Sequence, residues 1–295
     1  QSNLADIYLK SGQHAKAADT ARAAIQLDPE YTEAHFLLGN ALLSQGDPKA
    51  AIEAFQVCRQ DLDFCQTGNM AMETLALQSL EWNKEADNLT DFDQLIAEFR
   101  LEDSAPFKSI EEFNAALTNE ILAHPSLEWE PAGHPASGGS VTGNLLMHPT
   151  PAISTFEKFL RRSINNYLDE LPGDTEHPFL RRIPKNYGLR IWATVMGKDG
   201  FINPHIHSES WITGAYYVCF PGPEKSEEAE NAGWIKFGPP DRVSQQKYTA
   251  TTKLIKPEPG LLLLFPSYFH HQSLPLKYFS NRISLDFEIY AIAWR

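Results

Sequence analysis

The stretch Asn203-Pro204-His205-Ile206-His207-Ser208-Glu209 concentrates more potential chemistry than any other part of this 295-residue chain, and it reads together with a later residue, His271. In an extended strand the side chains alternate faces, so His205 and His207 point the same way. Two imidazoles on one face, with a third brought in from another strand, make a set able to hold a first-row transition metal. Further on, Asn281-Arg282-Ile283-Ser284 places Arg282 and Ser284 on one face of a strand by the same period of two. Tyr216 and Tyr217 are adjacent, so only one of them can share a face with a given neighbour.

These groups need a strand-rich scaffold, and the second half of the chain has the texture of one. Arg190–Met196, Trp211–Phe220, Trp234–Phe237, Leu261–Phe265 and Ile283–Ile292 are short apolar or alternating runs, separated by Gly and Pro clusters with no helical period between them. That pattern predicts a sandwich or barrel of antiparallel strands. The acidic stretch Glu224–Asn231 reads as a solvated loop. Before the strands, Ile110–Ile121 and Phe156–Leu168 carry apolar residues at helical spacing. The Gly-, Pro- and Ser-rich segment Pro131–Pro151 between them reads as a loop, with His134 and His148 exposed in it.

The N-terminal part has a different organisation. Leu4 and Leu38, Gly12 and Gly46, and Ala17 and Ala51 recur at a spacing of 34 residues, which resembles the tetratricopeptide repeat. Pro29 sits where such repeats place a proline, and Phe55 where they place a large residue in the second helix; the first repeat departs from this with Ala21 at the matching position. Ala71–Phe99 reads as a degenerate third helical pair. The expected division is residues 1–100 for the repeats and 105–295 for the strand-rich domain. Because the chain opens inside a helical pattern, it is expected to be cut from a longer one.

The formal charge of −13 and a pI near 5.2 argue against a nucleic-acid-binding surface, which needs clustered cations. No apolar run approaches the length that spans a bilayer. Three cysteines (Cys58, Cys65 and Cys219) give no disulfide framework and suit a reducing, cytoplasmic setting.

From about residue 105 to the end, the chain resembles the iron(II)- and 2-oxoglutarate-dependent oxygenases, and most closely a bacterial group that carries tetratricopeptide repeats in front. The resemblance rests on His205-Ile206-His207, then Ile212-Thr213-Gly214-Ala215-Tyr216-Tyr217-Val218, Phe265-Pro266-Ser267, His271 and Arg282-Ile283-Ser284, in that order, with Ser140–Leu146 as a less specific upstream landmark. It implies a double-stranded β-helix (jelly-roll) fold. It also implies iron(II), and 2-oxoglutarate and O2 as co-substrates. The usual carboxylate two residues after the first histidine is replaced here by His207. Two ligand sets follow: His205, His207 and His271, or a shifted set of His207, Glu209 and His271. Arg282, a planar and always-charged fork, would grip the far carboxylate of 2-oxoglutarate, with Ser284 beside it. Tyr217 is the tyrosine expected to help, with Tyr216 as the alternative. His270 is expected to face away from the site.

The activity so implied is hydroxylation of an unidentified peptide, protein or metabolite with release of succinate and CO2, the repeats serving a protein or peptide partner. The alternative is a metal- or ligand-binding jelly roll without turnover, attached to a repeat-based adaptor.

Overall fold

The computed structural model describes residues 2–61, 66–80, 83–101, 104–174, 176–220, 231–240, 251–276 and 282–294. Cys65, Asn281 and positions 224–230 of the acidic stretch lie outside them. The chain divides into two compact units, one holding Gln1–Asp91 with Asp174–Arg181 and Pro239–Thr251, the other Phe92–Gly173, Arg182–Gly238 and Thr252–Arg295.

The first unit is built from antiparallel helix pairs: α1 (Ser2–Lys10) with α2 (His14–Leu27), and α3 (Thr32–Ser44) with α4 (Pro48–Cys58). Gly12 and Gly46 follow α1 and α3 at φ of 73° and 82°, a left-handed conformation that glycine adopts without steric penalty. α4 is started by Pro48 and by Asp47, whose side chain accepts a hydrogen bond from the Ala50 backbone N–H. The helices α5 (Gln66–Ser79) and α6 (Asn83–Leu89) supply a third pair, and Ala76, Leu77, Ala86 and Leu89 join Leu42, Ile52 and Phe55 in one core.

The departure in the first repeat has a packing reason. A Cβ on Gly39 would lie 2.4 Å from the Phe55 ring, so the large residue of α4 fits only because its neighbour on α3 has no side chain. One repeat earlier the same two positions hold Ala5 and Ala21, which share a core cluster. Large-with-none and small-with-small are two ways to fill one space at interior density.

The second unit begins with a short helix α7 (Phe92–Leu95), and then Ala97–Arg100 forms strand β1 where the sequence had suggested a continuing helix. The remaining strands are β2 (Glu128–Trp129), β3 (Ala136–Val141), β4 (Pro184–His205), β5 (Ile212–Cys219), β6 (Ile235–Phe237), β7 (Lys253–Ile255), β8 (Leu261–Pro266), β9 (His271–Ser273) and β10 (Arg282–Trp294). All pairings among them are antiparallel, in the order β1-β8-β5-β10-β4-β9-β6-β7, with β3 also on β4. The 22-residue β4 explains how one sheet becomes two layers. Its first part pairs with β10 from Pro184 to Met196, and its last part pairs with β9 at Ile202 and His205. The sheet therefore curls back on itself as a double-stranded β-helix.

Two helices cover the outer face of the larger layer. α8 (Ile110–Leu122) is capped by Ser109, and α9 (Pro151–Glu170) is strongly amphipathic. Phe113, Phe156 and Phe159 from these helices surround the Tyr216 ring, with centroids 6.3, 5.1 and 6.2 Å away, and the Tyr216 hydroxyl donates to Asn114 Oδ1. Tyr216 is thereby committed to the helix side, so Tyr217 must face the interior of the curl.

The loop expected over Pro131–Pro151 contains β3 and a short 3-10 turn at Leu145–Met147. Its Gly-rich composition hid a strand, because Gly138 and Gly139 lie against the β4 backbone where a side chain would collide. The residues just after β3 clamp β4: Thr142 Oγ1 accepts from the Ala193 N–H and Asn144 Oδ1 from the Ile191 N–H.

Gly39→Ala is expected to destabilise the protein by about 1–3 kcal/mol through overpacking, and Phe55→Ala by about 3–5 kcal/mol through the cavity it leaves. The double variant, which rebuilds the Ala5/Ala21 arrangement, should lose at least about 1 kcal/mol less than the two combined. Urea denaturation of the four proteins measures this. Simple additivity would contradict the packing account.

Candidate metal centre

His205 is the last residue of β4, and its register partner across the sheet is His271, the first residue of β9. Sixty-six positions of sequence are thus closed by one strand pairing. His207 follows in the loop, where its N–H donates to the Ser267 carbonyl, while the Ser210 and Ser267 hydroxyls hydrogen-bond to each other. The His205 ring centroid lies 4.2 Å from that of His271 and 4.9 Å from that of His207; the His207 and His271 rings are 5.2 Å apart. One nitrogen from each ring falls within 4.8 Å of the other two. That is close to the roughly 3–4 Å separation of donors lying about 2.1 Å from a shared ion.

The chemistry of this donor set fits a metal. Each ring is fixed through Nδ1: His205 to the Asn203 carbonyl at 2.8 Å, His271 to the Phe269 carbonyl at 2.9 Å and His207 to Glu288 Oε1 at 2.7 Å. A proton on Nδ1 serves all three contacts and leaves Nε2 as the lone-pair nitrogen, the arrangement a ligating histidine needs. Burial, reinforced by the neighbouring His207, pushes the His205 pKa down to about 3. Burial and the His205 and His207 rings hold His271 well below the usual histidine range. Both rings are therefore neutral at pH 7, as metal coordination requires. Glu209 is exposed and stands outside the three-residue group.

The three histidines line one wall of a cleft of about 950 Å³ inside the curl. Side chains on alternate positions of β10 line another: Arg282, Ser284, Asp286 and Glu288. Arg282 is 4% exposed and Ser284 1%. Tyr217, the register partner of Ser284 on β5, lines the same cleft. Arg282 Nη1 donates to the Gly233 carbonyl at 3.3 Å, but its buried Nε has no hydrogen-bond partner among the described residues. Leaving such a donor unmet costs on the order of 1–3 kcal/mol, which an anionic ligand would recover. Burial pushes the Arg282 pKa down, and Tyr217 and Asp286 oppose that shift. Burial pushes the Tyr217 phenol up, and Arg282 draws it back.

Several features of the cleft were not visible in the sequence. His134, read as exposed, is half-buried at the cleft with its ring edge-on to Trp192, and burial pushes its pKa down. The error came from treating its segment as free loop, when β3 fixes it against β4. Asp286 accepts a hydrogen bond from the Thr194 hydroxyl across the sheet. Trp192, 8% exposed, carries a buried indole N–H with no partner among the described residues. Glu288 touches His207 across 81 positions of sequence. Burial pushes the Glu288 carboxyl up, but the hydrogen bond and charge of His207, with Arg190 and His134, outweigh this and hold it below the ordinary value. His270 is outside the three-histidine group and burial pushes its pKa down to about 4. His148 is exposed, as its sequence context implied.

Residues 190–288 match the profile of the family described as "Putative 2OG-Fe(II) oxygenase", and residues 2–61 match that of the tetratricopeptide repeat. Among curated proteins, a small glutamine-rich tetratricopeptide repeat-containing protein 2 of Mycosarcoma maydis is 42% identical over 55 residues. The Heat-shock protein cognate co-chaperone sgt12 of Aspergillus fumigatus is 46% identical over 55 residues. Each match covers 19% of this chain and 16% of the relative, so the chain spans about a sixth of the length of these proteins. Among solved structures, a Pseudomonas putida prolyl-4-hydroxylase aligns with a TM-score of 0.45 and 14% identity, over 74% of this chain and 98% of that one. HygX from Streptomyces hygroscopicus, solved with nickel and 2-oxoglutarate, aligns with a TM-score of 0.43 and 13% identity, over 70% and 87%. No helix among the described residues is long and apolar enough to cross a membrane.

The neutral state of the buried rings sets a pH dependence. The unfolded chain takes up protons on His205 and His271 near pH 6.5, whereas the folded chain does not until far lower. Their contribution to stability is therefore present above about pH 6.5 and is lost as pH falls toward the folded values, by up to about 1.4 kcal/mol per pH unit for each ring. Denaturation midpoints measured in chelator from pH 7 to 5 should fall, and should fall less steeply in His205→Asn. A slope unchanged by that substitution would contradict the assignment.

Proposed function

We propose that this chain, whose residues 190–288 belong to the 2OG-Fe(II) oxygenase family and follow a tetratricopeptide repeat region, is an iron(II)- and 2-oxoglutarate-dependent dioxygenase. The observation that carries this reading is the convergence of His205, His207 and His271 on one face of a cleft whose interior ends in a buried, under-satisfied guanidinium. His205, His207 and His271 hold the iron through their Nε2 atoms. Three ligands leave the remaining positions open, which this chemistry requires.

Arg282 would hold the far carboxylate of 2-oxoglutarate, its buried Nε–H having no acceptor among the described residues. Ser284 and Tyr217, register partners on neighbouring strands that line the same cleft, would orient the diacid toward the histidines. When bound, iron(II), 2-oxoglutarate and O2 supply the oxidation: one oxygen atom enters a C–H bond of the second substrate, the other enters succinate, and CO2 leaves. Trp192, Phe237 and Phe265 pack against the histidines and exclude water, and burial keeps the His205 and His271 rings neutral. The second substrate meets further polar residues that line the cleft, among them Glu128, His134, Arg190 and Glu209, and the repeats give a protein or peptide partner a place to dock.

With iron(II) and air, the protein is expected to release succinate from 2-oxoglutarate even without a second substrate. His271→Ala should reduce this at least about 100-fold, the scale of losing a catalytic group. Arg282→Ala should weaken 2-oxoglutarate binding by about 2–5 kcal/mol, the scale for a buried charged pair, while changing metal affinity little. Metal binding without succinate release would favour the binding-module alternative, and equal loss of metal and 2-oxoglutarate in Arg282→Ala would contradict the role given to Arg282.

A further inference from the structure

His207 differs from the other two histidines in what its Nδ1 touches. His205 and His271 donate to backbone carbonyls, which are neutral, whereas His207 meets the carboxylate of Glu288 at 2.7 Å. Glu288 lies on the cleft face of β10 with 22% of its side chain exposed, and His207 with 12%. Arg190, the register partner of Glu288 on β4, adds its positive charge to the carboxylate's surroundings, but its guanidinium stands 5.7 Å over the Trp192 ring. The described residues therefore give Glu288 one ion-pair partner, and that partner is His207.

We propose that Glu288 is a positioning residue that supplies, through the His207 ring, the negative charge that a set of three neutral imidazoles lacks. This rests on the reading of His207 as a metal ligand. Three imidazoles compensate none of the double charge of a bound ion, and the rings packed against His207 and His271 are those of Trp192, Phe237 and Phe265. A carboxylate on Nδ1 draws the ring proton toward itself, makes Nε2 a stronger donor and fixes the ring's orientation. The anionic group of the centre then stands one hydrogen bond behind the ligand. This also gives the three imidazoles unequal roles, with the His207 position the most strongly donating.

The test is anaerobic titration of the full chain with cobalt(II) as probe, together with the Fe(III)/Fe(II) potential of the iron-loaded protein. Both are measured for the unchanged protein, Glu288→Gln, Glu288→Ala and His207→Ala. Glu288→Gln keeps an oxygen able to accept from Nδ1 but removes the charge, so it should retain the denaturation midpoint of the unchanged protein. It should nevertheless bind cobalt(II) about 10-fold more weakly and shift the potential upward, with Glu288→Ala losing up to about 100-fold. A merely structural role for Glu288 would leave the potential of Glu288→Gln unmoved. If His207→Ala loses cobalt(II) affinity while Glu288→Gln changes neither affinity nor potential, the inference about Glu288 is overturned and the ligand reading stands. If His207→Ala binds cobalt(II) as the unchanged protein does, the ligand reading itself is overturned.

Discussion

The pairing of His205 with His271 across the ends of β4 and β9 is the constraint on which the centre depends. It exists because β4 is long enough to leave one layer of the sheet and enter the other, bringing its last residues opposite a three-residue strand that belongs only to the second layer. Everything near it serves that crossing. Ser273, in the same short strand, accepts from the Ile202 N–H through its hydroxyl, which pins the register beside the histidine pair. A slip of either strand by one residue would turn its own ring to the opposite face. Phe237 and Phe265 close around His271 and hold its ring where the register puts it.

Depth and charge are distributed along β10 in a way that matches this geometry. Its cleft-facing side chains run from a buried cation at Arg282, through the hydroxyl of Ser284, to the two acids Asp286 and Glu288. The cation is the most enclosed of the three charged groups, and Glu288 is tied to one of the histidines. A low-dielectric interior makes an unpaired charge expensive and a paired one strong, so a buried guanidinium with an unmet N–H marks a place for an anion. The helices on the outer face contribute indirectly. By claiming Tyr216 they settle which of two adjacent tyrosines looks inward.

How much of this was legible in the sequence depended on whether the signal was local. The spacing of His205 and His207, the shared face of Arg282 and Ser284, and the repeat of 34 residues are local patterns, and the structure brings each set together. The choice between Tyr216 and Tyr217 was not local, because parity gives opposite faces but not which face is which. Short strands were missed for a physical reason: β9 has three residues, one of them a buried histidine, and β3 is dominated by small residues. Neither shows the alternation of apolar and polar side chains that announces a half-buried strand. His134 was misread with β3. Period-two alternation puts Glu288 on the same strand face as Arg282 and Ser284, but its contact with His207, 81 positions away, had no local signal, and the role of Phe55 became clear only when Gly39 was seen against it.

The most direct measurement is X-ray absorption at the iron edge of the iron(II)-loaded protein, which counts imidazole ligands by their ring scattering. Three imidazoles, falling to two in both His205→Ala and His271→Ala, is the result the account predicts. A spectrum with two imidazoles and a protein carboxylate, unchanged by removal of His205, would contradict it.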